Sequence, residues 1–420
     1  MQRLLFNISI AKTYKILFIL YVLNVYYLKS FELTYSLTLL FGIFMLPTIK
    51  ISRFTFEIIS LLFLILITSI VSSLYYGFDT FNFLKGILYF TKPILMILVG
   101  YAFCLKINNK DFIFKFLIYF SILLALSHIF IVIKWFYLED ISVNYLRYLG
   151  GKSNLIEFFG LIFLLSRNKL KLFFLNKNFV SIGVIILTIS FVFYFSRTQF
   201  VALIIFMFCI YGYTRLNTKS ILIGVSSIFS IILLFVILHS VNLDRNSTGV
   251  EGFLYKLKVA PSEIFNADIN IENHAELWDK WRGFEAKKAI DQISERGTFA
   301  VIFGAGIGSL VDLDIDFAIQ GIDSKLIPII HNGYILVYFK AGLLGVFFYL
   351  VFIARLYSKT YAKSINNGYL ETINNLVGGF AFYLLFTSLI ISGIYNVNSL
   401  LPFILGYFLC VNHLTNLNRI

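Results

Sequence analysis

The feature that most constrains this chain is a succession of long apolar segments that recur along most of its 420 residues. A helix needs about 20 consecutive apolar residues to cross the hydrocarbon core of a bilayer. Hydrophobic residues make up 59% of the chain and charged residues only 14%, whereas soluble domains contain about 45–50% apolar and about 25% charged residues. This composition excludes a soluble enzyme, a disordered protein and a nucleic-acid-binding protein. It predicts an all-α polytopic membrane protein.

We predict twelve transmembrane helices that are interrupted by one large hydrophilic segment. Residues 1–241 hold the first nine helices, residues 242–327 form the hydrophilic segment, and residues 328–420 hold the last three helices. The predicted spans are 13–29, 33–49, 54–76, 86–105, 113–136, 153–168, 178–195, 198–214, 220–240, 328–354, 373–393 and 397–414.

The distribution of basic residues predicts which span ends face the cytoplasm. With the N-terminus inside, the inside segments and span ends contain eighteen lysine and arginine residues, and the short outside segments contain six. Cytoplasmic loops of membrane proteins carry the excess of these residues. Both termini are therefore predicted to be cytoplasmic, and residues 242–327 are predicted to lie outside.

Residues 242–327 form a long external loop that carries most of the acidic residues of the chain. The loop contains 14 acidic and 9 basic residues, although the whole chain has a formal net charge of +13. Loops longer than about 15 residues are usually functional or disordered. From Glu276 to Ile293 the apolar residues, among them Trp278 and Trp281, fall at helical spacing with charges between them. This pattern predicts an amphipathic helix that folds back over the membrane face.

Three residues near the predicted outer face have side chains that suit catalysis or anion binding. His331 follows Pro328 at the start of a span, where an imidazole can take up a proton near neutral pH; alternatively it only hydrogen-bonds a neighbouring loop. Arg197 lies in a tight outer turn, where its planar guanidinium matches phosphate oxygens or anchors the protein at lipid headgroups. Arg282 lies on the predicted loop helix, where the alternative is a pair with Glu285 on an exposed face.

Charged residues inside predicted spans are further functional candidates, because a bilayer disfavours them. Lys92 has no partner in its own helix and lies on the same face as Lys85, seven residues earlier. We therefore place Lys92 toward an outward cavity. Glu157 and Lys340 also lack a local partner, and the two could meet across helices.

Two loop motifs carry weaker signals. The G-A-G-I-G segment from Gly304 to Gly308 has no βαβ context, so we interpret it as a tight turn rather than a phosphate-binding loop. Asp312, Asp314 and Asp316 form a D-x-D-x-D run that lacks the glycine and the final glutamate of a calcium-binding loop. We predict solvated acidic residues here, and neither a metal site nor a cofactor.

These elements, in this order and spacing, resemble the O-antigen ligase and Wzy-type O-antigen polymerase superfamily. An outer S-R-T at residues 196–198 follows one span, and the long outer loop comes two spans later. The loop contains R-x-x-E-A-x-x-A-I from Arg282 and the glycine turn, and it closes with H-N-G-Y at His331 ahead of a G-L-L-G at 342–345. The R-Y-L-G-G-K-S-N of residues 147–154 also looks like a segment of the family.

The resemblance implies a GT-C-like membrane glycosyltransferase on the outer face of the bacterial inner membrane. Its donor would be an oligosaccharide on undecaprenyl pyrophosphate, and its acceptor would be another lipid-linked repeat. The enzyme would thus polymerise the repeat units of a surface polysaccharide such as O-antigen or capsule. Transfer would be inverting and independent of metal, and a chain-length regulator protein would be a partner.

The resemblance also implies roles for individual residues. His331 takes the position of a general base for the acceptor hydroxyl. Arg197 and Arg282 take positions that would bind the donor pyrophosphate, and we add Lys92 because of its placement toward the outward cavity. The residues that would support this site are Asn332, Tyr334 and Glu285.

Three alternative functions remain open at this point. The first is a ligase that transfers the glycan to lipid A core, and the second is transfer of a glycan to a protein. The third belongs to another class, a flippase or other secondary transporter of lipid-linked sugars, which would share the many spans and the basic cavities. Transporters often show paired interrupted helices in two halves of the chain, and this sequence shows no such symmetry.

Overall fold

A computed structural model describes residues 2–28, 30–136, 154–245, 247, 249–265, 274–315, 318–319, 322–323, 325–362 and 368–417. Residues 147–153 of the R-Y-L-G-G-K-S-N segment, and Asp316, lie outside the described residues. The longer helices are α1 (Gln2–Leu28), α2 (Phe31–Met45), α3 (Arg53–Tyr76), α4 (Thr80–Ile107), α5 (Lys110–Phe136), α6 (Asn154–Leu165), α7 (Lys177–Phe193), α8 (Arg197–Ile210) and α9 (Thr218–Ser240). They are followed by α10 (Gly249–Lys258), α11 (Ala260–Phe265), α12 (His274–Asp279), α13 (Trp281–Glu295), α14 (Thr298–Phe303), α15 (Gly333–Tyr357), α16 (Gly368–Thr387) and α17 (Leu401–Asn416).

Within the described residues, six helical segments are long and apolar enough to cross a membrane. They are Phe31–Thr48, Arg53–Tyr76, Thr80–Ile107, Lys110–Lys134, Thr218–Ser240 and Gly333–Tyr361. The helices α6, α7 and α8 are apolar but shorter. The structure therefore agrees with an all-α membrane protein of many helices, while the number of twelve spans stays a prediction.

The chain divides into two compact units. The first unit comprises Met1–Lys106, Pro261–Tyr357 and Ala381–His413, and the second comprises Ile107–Ala260, Ser358–Phe380 and Leu414–Ile420. Residues 242–260 of the predicted external loop thus belong to the second unit, and residues 261–327 belong to the first. The predicted boundaries at 241 and 327, which follow hydropathy rather than packing, stay a prediction.

The first unit is built around α3 and α15, which pack along each other. One face of α3 near its C-terminal end carries small hydroxyl residues, Ser69, Ser72 and Ser73, all of which are buried. Their spacing of three and four residues puts them on one side of the helix. Small side chains here leave room for another segment of backbone to approach α3.

That segment is the glycine turn, which lies against α3, α4 and α15. The Ile307 backbone N–H donates to the Ser69 carbonyl oxygen at 3.0 Å. Gly306 has a φ of +100°, and a Cβ atom there would lie 2.5 Å from the Ser73 Oγ and 2.8 Å from its backbone. A Cβ on Gly308 would lie 3.0 Å from the Phe83 backbone, and one on Gly86 of α4 would lie 2.4 Å from the Ile307 carbonyl oxygen. Glycine is therefore required for packing at this turn.

Helix α15 is broken at Gly342, the first glycine of G-L-L-G, where φ is +66° and ψ is −164°. A Cβ at this position would lie 2.3 Å from the Ile302 carbonyl group at the end of α14. The Phe339 carbonyl, which a continuous helix would turn toward residue 343, accepts from the Ala305 N–H at 2.8 Å. The break therefore fastens the glycine turn to α15.

The loop region contains short helices and two small antiparallel ladders. The predicted helix over 276–293 is present as α12 and α13, which meet at Lys280. Strand β1 (Val311–Asp312) pairs with β4 (Leu326–Ile327), and β2 (Ala318–Ile319) pairs with β3 (Ile322–Asp323). Four two-residue strands were not predicted, because no alternating pattern can be recognised over two residues.

In the second unit, α5, α6 and α7 pack together around a buried polar cluster. Glu157 of α6 accepts hydrogen bonds from Ser190 at 2.5 Å and from the Tyr194 hydroxyl at 2.8 Å. His128 of α5 lies 2.8 Å from the Ser190 Oγ and stacks on Tyr194. Glu157 thus has partners of its own within this unit.

Candidate functional site

His331 stands immediately before α15, and its neighbours in H-N-G-Y fix it there. The Asn332 side chain accepts from the backbone N–H groups of Tyr334 at 3.0 Å and Ile335 at 3.1 Å, which is the contact of a helix N-cap. The Gly333 N–H donates to the Ser388 carbonyl at 2.7 Å, and a Cβ on Gly333 would lie 2.9 Å from the Ser392 backbone. The motif therefore holds the start of α15 and leaves the His331 side chain 53% exposed.

Glu285 of α13 binds His331 through both its backbone and its ring. The His331 Nδ1 lies 2.9 Å from Oε2 and 3.1 Å from Oε1 of the carboxylate, and the His331 backbone N–H donates to Oε2 at 3.1 Å. The Glu285 side chain is only 3% exposed. A buried carboxylate thus holds an exposed imidazole in one orientation.

This contact determines what the ring can do. A carboxylate only accepts hydrogen bonds, so Nδ1 carries a proton toward Glu285, and in the neutral ring Nε2 then has the lone pair. The same arrangement, with a carboxylate behind the ring, positions the general base in many hydrolases and stabilises the imidazolium that forms. His331 with Glu285 therefore has the geometry of a general base and its positioning residue.

Arg282 lies one turn before Glu285 on α13, yet its ion-pair partner is Glu263 of α11. The pair Arg282–Glu285 that the sequence left open is not formed, because Glu285 is engaged with His331. The Arg282 Nε is buried and has no hydrogen-bond partner among the described residues. The guanidinium is therefore held beside the dyad of Glu285 and His331 with one donor still unused.

Arg197 is the first residue of α8 in the second unit. It follows Phe195, which has a φ of +45°, and the tight turn predicted from the sequence is present here. Its Nη1 donates to the Lys256 carbonyl at the end of α10. Arg197 is half-buried, and its packing joins the turn to the first helix of the loop.

Lys92 of α4 is 5% exposed. Its Nζ donates to the Val397 carbonyl at 2.7 Å and lies 4.7 Å from the centre of the Phe31 ring. It borders a cavity of about 220 Å³ that Tyr395 also lines. Lys92 thus borders a cavity, whereas the outward orientation of that cavity and the role of Lys92 in pyrophosphate binding stay predictions.

Tyr334 supports the site through the C-terminal part of the first unit. Its hydroxyl donates to the Leu385 carbonyl at 2.9 Å, and its ring meets Tyr349 edge to face at 5.7 Å. These contacts, like the cap by Asn332, hold the start of α15 in place.

Lys340 does not meet Glu157, contrary to one possibility raised by the sequence. Its ammonium donates to the carbonyl oxygens of Ile307, at 3.1 Å, and of Ser309. Lys340 thus binds the backbone of the glycine turn from the interior of α15. No sequence pattern predicts this contact between the Lys340 ammonium and backbone carbonyls, because a carbonyl acceptor can come from any residue type.

The acidic residues after the glycine turn are surface ion-pair partners. Asp314 lies 2.6 Å from the Lys288 Nζ, and this ammonium lowers the pKa of the Asp314 carboxyl. Asp312 lies 3.7 Å from the Lys325 Nζ, and Gln292 exchanges two hydrogen bonds with its backbone. Among the described residues, no group of three or more His, Cys, Asp or Glu side chains could hold a metal ion.

The structure brings Glu285 and His331 together and places Arg282 next to them on α13. Sequence reasoning missed Glu263, the partner of Arg282, since the two lie 19 residues apart and no helical spacing links them. It also missed Ser388 and Ser392, whose backbone and side chain fix the H-N-G-Y segment. These contacts come from tertiary packing, which leaves no local pattern.

Comparison with known proteins relates this region to one family. Residues 182–350 match the family model described as O-antigen ligase. The matched region contains Arg197, Arg282, Glu285 and His331, so the predicted resemblance to the O-antigen ligase and Wzy-type polymerase superfamily is confirmed. A search of curated proteins found none that matches the chain.

Proposed function

We propose that this protein, whose residues 182–350 belong to the O-antigen ligase and Wzy-type polymerase superfamily, polymerises the repeat units of a surface polysaccharide. The donor is an oligosaccharide on undecaprenyl pyrophosphate, and the acceptor is another lipid-linked repeat at the outer face of the inner membrane. The observation that carries the proposal is the dyad of buried Glu285 and exposed His331.

The reaction is a single displacement at the anomeric carbon of the donor. The acceptor hydroxyl gives its proton to the Nε2 of His331, and its oxygen forms the new bond to the anomeric carbon. The bond from that carbon to the pyrophosphate oxygen breaks, and undecaprenyl pyrophosphate leaves with the electron pair. The configuration at the anomeric carbon is inverted. Glu285 stabilises the imidazolium as it forms.

The leaving group acquires negative charge during this step, and cationic residues lower the barrier by stabilising it. Arg282 is placed for this task one turn from Glu285, with its buried Nε unused among the described residues. We assign Arg197 and Lys92 to the same pyrophosphate, Arg197 because a guanidinium matches phosphate oxygens and Lys92 because it borders a cavity.

The second candidate is the ligase, and the description of the matched family favours it. The chemistry would be the same, and only the acceptor would differ, lipid A core in place of a lipid-linked repeat. The first test removes the gene. Loss of a polymerase leaves single repeats attached to lipid A core, whereas loss of a ligase leaves long polymer on the lipid carrier.

The test of the chemistry is His331→Ala at matched expression in the membrane. A general base contributes about 10²–10⁴ in rate, so chain extension should fall below detection on a gel that resolves polymer length. Polymer of unchanged length and amount would show that His331 is only an interfacial residue.

The proposed outer location is tested by enzyme fusions. Alkaline phosphatase fused after Asn270 is expected to be active, and phosphatase fused after Asn366 is expected to be inactive, because the basic residues place the first outside and the second inside. The reverse pattern would contradict both the topology and an outward site.

A further inference from the structure

Two adjoining cavities of the first unit lie along one face of α4. The first has about 360 Å³ of empty space and is bordered by Lys85, Ile329 and Tyr395. The second has about 220 Å³ and is bordered by Lys92. Tyr89 and Tyr395 line both cavities. Because they share these two lining residues, we treat the two as one cleft, here called the α4 cleft.

Lys85 gives the α4 cleft an ammonium group that lies close to aromatic rings. Its Nζ lies 5.8 Å from the ring centre of Phe81 and 5.9 Å from that of Tyr89. Within the part of the chain that the structure describes, it makes no hydrogen bond and no ion pair. Lys92 follows two helical turns later on the same face, so two ammonium groups serve one cleft.

Three other charged groups lie in or near the cleft. Glu32 at the start of α2 interacts electrostatically with both Lys85 and Lys92, but it lines neither cavity, and Ser30 donates to its carboxylate at 2.9 Å. The ammonium of Lys92 donates to the Val397 carbonyl, and that of Lys340 donates to the glycine turn. The described residues that line the cleft include three lysines and no acidic side chain, so the cleft favours an anion.

Tyr395 adds an unused polar group. Its side chain is 4% exposed, and its buried hydroxyl has no hydrogen-bond partner among the described residues. Buried hydroxyls normally have a partner. A ligand oxygen in the cleft would supply one.

Part of the wall of the α4 cleft precedes the proposed catalytic base closely in the chain. Pro328 and Ile329 form part of its wall, and His331 follows Ile329 by two residues, which is at most about 7 Å of extended chain. The second cavity has an apolar wall that includes Phe31, Met96 and Pro402. A ligand with an anionic head near the base and an apolar tail matches these two halves.

We propose that the α4 cleft binds the pyrophosphate head and first isoprenoid units of a lipid-linked sugar, with Lys85 and the Tyr395 hydroxyl as direct ligands. This inference rests on the proposed function and adds residues to its donor site. It places the leaving group on the side of α4, with the acceptor hydroxyl and His331 on the opposite side of the reacting carbon, as an inverting displacement requires.

The test measures binding without turnover. Purified full-length protein in detergent is titrated with farnesyl pyrophosphate, which has the head and a short tail of the lipid carrier. Lys85→Met should weaken binding at least about tenfold, as expected for loss of a charged hydrogen bond. Tyr395→Phe should also weaken binding, and it keeps the ring packing because the hydroxyl has no protein partner among the described residues.

The matched control is Lys115→Met. Lys115 of α5 also has its Nζ over an aromatic ring, 4.6 Å from the centre of Phe174, but it does not line the α4 cleft. Its substitution should leave binding unchanged. Equal binding by wild type and Lys85→Met would overturn the proposal.

Two competitors identify the source of the phosphate. Inorganic pyrophosphate should compete more weakly than farnesyl pyrophosphate, and phosphatidylglycerol should compete poorly. Displacement by phosphatidylglycerol at the same concentration would show a general lipid-headgroup site and overturn the proposal.

A further variant separates this inference from the proposed function. His331→Ala should bind farnesyl pyrophosphate normally, since it removes only the base. If binding depends on Lys85 but the His331→Ala variant still polymerises, the role of His331 as base is refuted and the proposal for the α4 cleft is supported. Normal binding and polymerisation by Lys85→Met, with an inactive His331→Ala, would refute the cleft alone.

Discussion

The substitution Glu285→Gln tests whether the dyad is catalytic, because it preserves shape and removes charge. In the native side chain, Oε2 accepts the His331 backbone N–H at 3.1 Å and lies 2.9 Å from the ring Nδ1, and Oε1 lies 3.1 Å from Nδ1. An amide has only one oxygen. In the position of Oε2 this oxygen can still accept from both the backbone N–H and Nδ1, so the substitution mainly removes the negative charge behind the ring.

Without this charge, no carboxylate stabilises the imidazolium that forms when His331 takes up the proton of the acceptor hydroxyl. In a serine protease the same exchange of carboxylate for amide behind the histidine lowers kcat by about 10⁴. Loss of a base altogether costs about 10²–10⁴. We therefore expect Glu285→Gln to lower the initial rate by about 10²–10⁴.

The assay measures the initial rate of polymer formation from purified lipid-linked repeats, at equal amounts of each protein in detergent. The control is Glu276→Gln, since Glu276 is a loop carboxylate that pairs with Lys280 at 2.6 Å and is 32% exposed. An exposed pair contributes only about 0–1 kcal/mol, so the control should keep its activity.

A double variant gives the sharpest comparison. Glu285 acts through His331, so Glu285→Gln combined with His331→Ala should be as slow as His331→Ala alone. A multiplicative loss in the double variant would refute the positioning role. A Glu285→Gln enzyme within about twofold of wild type would refute the catalytic role of the Glu285 charge.

Two further predictions concern the arginines and the glycine turn. Arg197→Lys and Arg282→Lys should each lose most polymer laddering at normal expression, because a lysine keeps the charge but not the planar donor fork; full ladders in both variants would contradict their role at the pyrophosphate. Gly306→Ala and Gly297→Ala both place an alanine at a positive φ, which costs about 1–3 kcal/mol of stability. Only at position 306 would the added Cβ have atoms within 3 Å. Thermal unfolding in detergent should therefore show a larger loss for Gly306→Ala, and equal losses would contradict the packing of the turn.

The sequence predicted those parts of the site that have local signatures. The H-N-G-Y motif contains its own helix cap, so the position of His331 at the start of α15 follows from adjacent residues. The glycine turn was likewise predicted from G-A-G-I-G without a βαβ context. Each of these depends on interactions within a few residues.

The partners of the charged residues were not predictable in the same way. Glu285 lies at helical spacing from Arg282, which favoured a pair along one helix. In the structure the buried Glu285 carboxylate contacts His331, and Arg282 forms its ion pair with Glu263. An exposed helical pair is worth only about 0.2–0.5 kcal/mol, so tertiary contacts decide between such alternatives.

The number of spans depends on helix lengths that hydropathy alone does not give. Helices α7 and α8 have 17 and 14 residues, whereas crossing the hydrocarbon core takes about 20 residues, so the number of twelve spans stays a prediction. Hydropathy alone counts each apolar run as a span and does not show where the helix within it begins and ends.

Both halves of the dyad are anchored to α15, and this explains why the glycines matter far from the reacting atoms. His331 is fixed by the cap of α15, and Glu285 lies on α13, which packs against the same helix. The segment after α13 is fastened to α15 by the Ala305–Phe339 hydrogen bond and by the Lys340 ammonium. These contacts require the break at Gly342 and the close approach at Gly304. A general base must be held to within a fraction of an ångström, and a helix that carries one partner and binds the segment of the other provides that precision.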